Sequence, residues 1–288
     1  MHDGESGGGG SMSGVAWTLA VVQMDCATGD TERNLATIAR FARAAAAQQA
    51  DLAVFPECAT TGYFLGDRLA DLAEPPDGPS ARRLGEIARE NRLTMAVGAY
   101  TQRDGGVYDS QLMFGPDGEC LAVYDKAHLF AGERESCRAG DSARVVETPL
   151  GKVGMTVCYD FIFGDYVRRL GDLGADLIVN STNWIADAYQ RETWGWSGPV
   201  TQGLAGTRAL ENGTFVAMAN RVGEEALTPE LSFKSLGHSC IAGPSGKILA
   251  ALTEGEGLAV ARIDIAQEDL DRWRAIATYR ADRRPDLT

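Results

Sequence analysis

Apolar positions along this chain follow two rhythms. Trp17 to Gln23 is a largely apolar run of strand length, and Leu52-Ala53-Val54-Phe55 is another, closed by Pro56. Between them, Leu35, Ile38, Ala42 and Ala45 or Ala46 recur at helical spacing inside Asn34 to Ala50. The helical rhythm returns at Ser80 to Asn91, just after Pro79, and Thr94 to Tyr100 reads as a strand again. Further along come strand Val153 to Val157, helix Asp165 to Leu173, strand Leu177 to Val179, helix Gly203 to Asn212 and strand Phe215 to Ala219. Strands alternating with helices at this spacing predict an α/β architecture.

Two hairpins interrupt the alternation. Asp109 to Phe114 and Glu119 to Tyr124 flank the turn Gly115-Pro116-Asp117-Gly118. Ser239 to Ala242 and Lys247 to Leu252 flank the similar turn Gly243-Pro244-Ser245-Gly246. Each half of the chain thus carries helices, strands and one hairpin turned by GPxG. Two similar halves predict two sheets packed face to face with helices outside. No internal linker divides them, so one domain is expected over residues 15–288, with a tail from about 266. That tail is helical through Trp273 and polar beyond it, and is expected to be loosely ordered or to pack on a partner subunit.

Composition narrows the classes of function. A formal net charge of −13 without a basic run argues against a nucleic-acid partner. Met1 to Gly14, rich in Gly, Ser and charge, reads as a flexible leader or expression remnant rather than a signal peptide. No apolar run has the length to cross a bilayer, so no membrane partner is expected. Six scattered cysteines without CxxC spacing favour a reducing cytoplasm over a disulfide scaffold. Only three histidines occur, and His2 lies in the leader. This scarcity counts against Ser-His-Asp, Cys-His and His-ligated zinc sites.

Four segments place chemistry-bearing residues at strand ends, where α/β folds hold ligands. They are Phe55-Pro56-Glu57, Tyr124-Asp125-Lys126-Ala127-His128-Leu129, Gly132-Glu133-Arg134-Glu135 ahead of Gly140, and Val157-Cys158-Tyr159-Asp160. Each alone has an ordinary explanation. An acid after a strand is commonly a cap or surface charge, a lysine a solvated charge, and a cysteine a small buried hydrophobe.

Together they resemble the nitrilase superfamily of carbon–nitrogen hydrolases, which use a Glu-Lys-Cys catalytic set. The resemblance runs from about Trp17 to Trp273. It rests on FPE at Phe55 to Glu57, YDKAHLF at Tyr124 to Phe130 and GMTVCYD at Gly154 to Asp160. TRALENGTFVAMANRVG at Thr207 to Gly223 and GHSCIAGPSG at Gly237 to Gly246 complete it. The resemblance implies a four-layer α-β-β-α sandwich, in agreement with the two-sheet reading. It also implies a second glutamate seven residues before a glycine, which places that role on Glu133, with Glu135 as its neighbour and competitor. Where the family often has an aromatic residue and a proline before this glycine, the chain has Cys137 and Ala139.

The implied chemistry is coherent. Cys158 is the nucleophile, Glu57 the general base towards its thiol and later towards water, and Lys126 the fixed charge for the tetrahedral intermediate. The backbone N–H after Cys158 is a co-donor, and Glu133 orients the leaving amine or the incoming substrate. No metal or organic cofactor is required. His128 and His238 are expected to be structural, although strand alternation would put His128 on the same side as Lys126. CYD after the strand is more similar to the amidase-type branches than to the true nitrilases, so a small carboxylic amide giving acid and ammonia is the leading expectation. Nitrile and N-carbamoyl hydrolysis are the close alternatives, and a thiol redox sensor is the alternative of another class, lacking an obvious resolving cysteine. The chain has Phe163-Gly164-Asp165 where many members read FPE after CYD. Tyr63, Tyr159, Phe161, Asn183 and Trp184 are expected to line the substrate pocket, with Trp194 and Trp196 as further candidates. The resemblance and the tail together suggest a homodimer or larger homo-oligomer.

Overall fold

In the computed structural model, which describes residues 16–264, 270–276, 278, 279, 281–284 and 286, β1 (Ala16–Asp25) divides its side chains between two layers. Trp17, Leu19 and Val21 enter one core, while Ala20, Val22 and Met24 enter another on the opposite face. A strand buried on both faces explains why this segment reads as a continuous apolar run. The expected leader lies outside the described residues, as does the start of the expected tail.

The first half continues through α1 (Thr31–Ala47), β2 (Leu52–Val54), α2 (Leu69–Leu72), α3 (Pro79–Asn91), β3 (Thr94–Arg103), β4 (Gly106–Phe114) and β5 (Cys120–Asp125). α4 (Glu133–Ser136) and β6 (Arg144–Thr148) lead to the second half. That half contains β7 (Gly151–Val157), α5 (Gly164–Asp172), β8 (Leu177–Thr182), β9 (Ile185–Ala186), α6 (Ala188–Thr193), α7 (Gly198–Asn212) and β10 (Phe215–Val222). It closes with β11 (Glu224–Thr228), β12 (Leu231–Ser235), β13 (Cys240–Ala242), β14 (Ile248–Ala251), β15 (Gly257–Asp264) and α8 (Leu270–Ile276).

Strand pairing shows the two halves to be built alike. One runs β15-β1-β2-β3-β4-β5 and the other β6-β7-β8-β10-β13-β14. In both, the first pair is antiparallel, the next two parallel and the last two antiparallel. A short parallel pairing of Met24 with Arg221 and Asp25 with Val222 joins them at the ends of β1 and β10. Their inner faces share one core, in which Leu19, Val54 and Met113 meet Met155, Val179 and Ala217. α1 and α3 cover the outer face of the first half, and α5 and α7 that of the second. The result is the four-layer α-β-β-α sandwich. No described helix is long and apolar enough to cross a membrane.

The helices begin and end where local chemistry dictates. Asp30 caps α1 by accepting from Arg33 N–H, so the helix starts ahead of its first apolar residue. With Pro199 in its first turn, α7 begins at Gly198, five residues before the expected Gly203, and Gly213 closes it in the left-handed region. β6 and β15 were not apparent in the apolar pattern. β6 is a short edge strand carrying Arg144 and Glu147 outward, and edge strands need no second apolar face.

The repeated turn has a packing cause. A Cβ on Gly85 of α3 would lie 2.5 Å from the carbonyl oxygen of Gly118, and one on Gly206 of α7 would lie 2.7 Å from that of Gly246. Each outer helix therefore rests on its hairpin turn through a glycine. Gly85→Ala and Gly206→Ala are each expected to cost about 1–3 kcal/mol in urea unfolding, because backbone must shift. Gly203→Ala, on the open side of α7 with nothing within 4 Å, is expected to stabilise by about 0.5–1 kcal/mol.

Candidate active site

Both halves deliver strand ends to one place. After β2, Phe55 N–H donates to Ala96 O at 2.8 Å, and its carbonyl accepts from Ser181 Oγ at 2.7 Å. The following turn crosses β3 at Gly98, where a Cβ would stand 2.5 Å from Glu57 Cα. Glu57 N–H then reaches Thr182 O of β8 at 3.4 Å, so the acid sits where the two halves touch. Lys126 follows β5, its N–H donating to Asp109 O at 2.8 Å and its carbonyl accepting from Gly140 N–H at 2.9 Å. Cys158 follows β7 and opens a 3₁₀ helix, Cys158–Ile162, with φ of 43°. A non-glycine residue in that region carries strain of about 1–3 kcal/mol and is held there by its surroundings.

Glu57 and Lys126 are fully buried, and Glu133 nearly so. Lys126 Nζ donates to Glu57 Oε1 and Glu133 Oε1, both at 2.6 Å, and to Asp109 Oδ2 at 3.1 Å. An ammonium has three donors, so this set uses all of them. Glu133 is anchored further by the Tyr63 hydroxyl at 2.5 Å and by Phe130 N–H at 2.7 Å. Glu135 faces a neighbouring cavity instead. The three carboxylates Glu57, Asp109 and Glu133 offer oxygens within 4.8 Å of one another, the spacing of a cation site, and the ammonium bonds to each of them.

Burial and charge set the protonation of this group. Burial opposes the Lys126 charge, but Glu57, Asp109 and Glu133 outweigh it and hold the ammonium well above the usual lysine range. Burial lifts Asp109 well above the carboxylate range against the pull of Lys126, and Glu57 lifts it further. Glu133 is raised by the same burial. The Cys158 thiol is pushed well above its ordinary range, first by burial and then by the Glu57 carboxylate. Lys126, the Thr182 hydroxyl and Asn183 N–H oppose that rise. Glu57 Oε2 and Asn183 Nδ2 are buried and have no hydrogen-bond partner among the described residues.

Asp160 locks the turn after Cys158. Its Oδ2 accepts from Val157 N–H at 3.1 Å and the Tyr124 hydroxyl at 2.7 Å, and its Oδ1 accepts from His128 N–H at 2.8 Å. β5 ends at Asp125, so strand alternation does not extend to His128. Its Nδ1 lies 2.8 Å from Asp160 Oδ1 and its ring stacks on Phe163 at 3.9 Å. Cys158 opens on a cavity of about 350 Å³. Tyr63, Tyr159, Asn183 and Trp184 line it, as do Trp194 and Trp196. Phe161 does not: it is fully buried in the core between the layers. Within this 3₁₀ helix Tyr159 and Ile162, three residues apart, line the cavity beside Cys158, while Phe161 is turned into the core.

The sequence matches the carbon–nitrogen hydrolase family over residues 18–275. The chain belongs to this family. Among curated relatives, a probable nitrilase of Schizosaccharomyces pombe is 32% identical, with 93% of this chain and 96% of that protein covered. An (R)-stereoselective amidase of a Pseudomonas species is 33% identical, with 92% and 91% covered. Among solved structures, a glutamate-to-glutamine mutant of the amidase from Nesterenkonia sp. AN1 aligns with a TM-score of 0.78 at 25% identity, covering 94% of this chain and 95% of that one. It shows the acetamide moiety of fluoroacetamide added covalently at the active-site cysteine. The protein is therefore a carbon–nitrogen hydrolase of the nitrilase superfamily.

In this hydrolase, Glu57, Lys126 and Cys158 at strand ends and Glu133 at the start of α4 fall at one candidate site, and one neighbour there was missed. Asp109 sits inside β4, between the Cys58 thiol at 3.7 Å and Lys126 Nζ. The available signal was the polar run Asp109-Ser110-Gln111 in an otherwise apolar strand, all three fully buried. Lys126→Met leaves buried acids without a cation and is expected to cost about 3–5 kcal/mol in urea unfolding. Asp109 and Glu133 would then hold protons in the folded chain at pH values where the unfolded chain has released them. Folding takes up those protons, so the deficit is expected to shrink as pH falls from about 7 towards about 5.

Proposed function

We propose that this hydrolase cleaves carboxylic amides to acid and ammonia through a thioester on Cys158. The observation that carries the reading is Glu57 Oε2, a buried carboxylate oxygen without a hydrogen-bond partner among the described residues, in a site where the Glu57 charge helps to push the Cys158 thiol upward. An orphaned acceptor of this kind costs stability unless something is meant to use it. A proton in transit between thiol, amine and water is such a use.

The resting thiol is neutral, because burial and Glu57 disfavour the thiolate. Attack by sulfur on the amide carbon is thus coupled to transfer of the thiol proton to Glu57. The carbonyl oxygen takes the electron pair of the broken π bond. The backbone N–H of Tyr159, in the first helical turn where N–H groups lack helical acceptors, points to a stabilising role for that oxyanion. Lys126 contributes its charge, and its contact with Glu57 adds a coupling. Once Glu57 is protonated its pull on the ammonium falls, which frees a donor when negative charge appears on the substrate. Collapse breaks the carbon–nitrogen bond, and the leaving nitrogen takes the proton from Glu57. Water then attacks the thioester and gives a proton to Glu57, and as the carbon–sulfur bond breaks Glu57 passes that proton to sulfur, which regenerates the thiol and the carboxylate.

Glu133 has both oxygens committed, to Lys126 and Tyr63 on one side and to Phe130 N–H on the other. Its part is to hold Lys126 in place, and direct contact with the leaving group is secondary. Cys158→Ala is expected to retain the unfolding midpoint and lose hydrolysis. Glu57→Gln is expected to lower kcat by at least about 10²-fold, because both formation and hydrolysis of the thioester pass a proton through this residue. Ammonia release from matched amide, nitrile and N-carbamoyl compounds decides the bond type. Turnover of nitriles without amides would overturn the amide reading.

A further inference from the structure

We infer that the acyl part of the substrate is an uncharged aromatic or branched apolar group seated against Trp184 and Trp196, an inference that rests on the thioester reading above. A thioester fixes the acyl carbon to Cys158 Sγ, so the acyl group must occupy the space that Cys158 lines. That space is the cavity of about 350 Å³. An adjoining cavity of about 600 Å³, beyond Tyr63 and Phe130, is not lined by Cys158 and carries Asp67, Glu133 and Glu135.

Among the described residues, no Lys, Arg or His lines either cavity. A carboxylate on the acyl group would leave water, find no cation, and face three acids across the shared wall. The aromatic wall is also committed to apolar contact. Trp184 and Trp196 meet edge to face, with centroids 5.9 Å apart. Trp184 Nε1 points at Met218 Sδ and Trp196 Nε1 donates to Ile185 O at 3.2 Å, so both indoles offer carbon surface to a ligand. The neighbouring polar side chains are largely engaged as well. Gln190 Oε1 accepts from Asp187 N–H, and Asn183 Oδ1 accepts from Ser235 Oγ. Asn183 Nδ2 remains as a donor, suited to one carbonyl or hydroxyl and not to an anion on its own.

The test is a panel of primary amides and a parallel panel of nitriles with the same acyl groups: phenylacetyl, acetyl and succinyl with a free ω-carboxylate. In whichever series turns over, kcat/KM for phenylacetyl is expected to exceed that for acetyl by at least about tenfold, with the ω-carboxylate compound poorest. Trp196→Ala is expected to reduce the phenylacetyl-to-acetyl ratio by about tenfold or more. Ile162→Arg, at a half-exposed position on the cavity wall, is expected to raise the ω-carboxylate compound relative to phenylacetyl. Preference for the ω-carboxylate compound, or ratios unmoved by both substitutions, would overturn the inference. Loss of the amide series with the same acyl order among nitriles would remove the amide reading and leave this one standing.

Discussion

Three carboxylates whose oxygens lie within 4.8 Å of one another cannot share a dry interior unless positive charge sits between them. Lys126 supplies that charge, and most of the site follows from where its ammonium must be. Glu57 arrives from the end of β2, Asp109 from the middle of β4, Lys126 from the end of β5 and Glu133 from α4. All four belong to the first half of the chain or the connection that follows it. The second half contributes Cys158, Thr182 and Asn183, which the first half meets where Glu57 N–H reaches Thr182 O. One half thus holds the charges and the other presents the thiol.

This division sets the electrostatics. A thiolate lying free beside Glu57 would be disfavoured twice, by burial and by like charge, which holds the Cys158 thiol well above its ordinary range. The same burial keeps Asp109 and Glu133 inclined to hold protons, which limits the negative charge that Lys126 must balance. Glu133 and Asp109 therefore brace Lys126, and among the described residues Glu57 alone of the three has an oxygen without a hydrogen-bond partner. What distinguishes Glu57 from the other two is its hydrogen-bonding, because all three acids are chemically alike.

Much of this was legible in the sequence, for physical reasons. Glu57 and Cys158 each follow a buried apolar run, where a polar residue stands out, and Lys126 follows the second strand of a hairpin marked by its GPxG turn. Strands buried on both faces, such as β1 and β8, read as plain apolar runs, and the two GPxG turns exposed the duplicated plan. Asp109 was hidden because it lies within a strand, where an isolated acid reads as an outward-facing residue. Its burial depends on Lys126, which is distant in sequence. Phe161 was misplaced because alternation at a strand end gives way to the threefold rhythm of a 3₁₀ turn. The choice of Glu133 over Glu135 came from resemblance, and its cause lies in backbone geometry: Phe130 N–H and the Tyr63 hydroxyl converge on Glu133 alone.

The duplicated plan also shows how alike halves acquire unlike roles. β1 and β7 are counterparts in strand order, and each is followed by a cysteine, Cys26 and Cys158. Cys158 is met by Glu57 and Lys126. Cys26 instead gives its carbonyl to the buried Arg221, whose guanidinium pairs with Glu225 at 2.8 Å. Glu225 in turn accepts from Tyr63 N–H at 3.0 Å and the Thr28 hydroxyl at 2.6 Å. The ion pair at the quiet end of the duplication therefore fixes the backbone of Tyr63, and the Tyr63 hydroxyl fixes Glu133. A buried pair is a poor source of stability on its own account. Here it has a structural use, since it carries the position of Tyr63, through Glu133, to the ammonium on which the site depends.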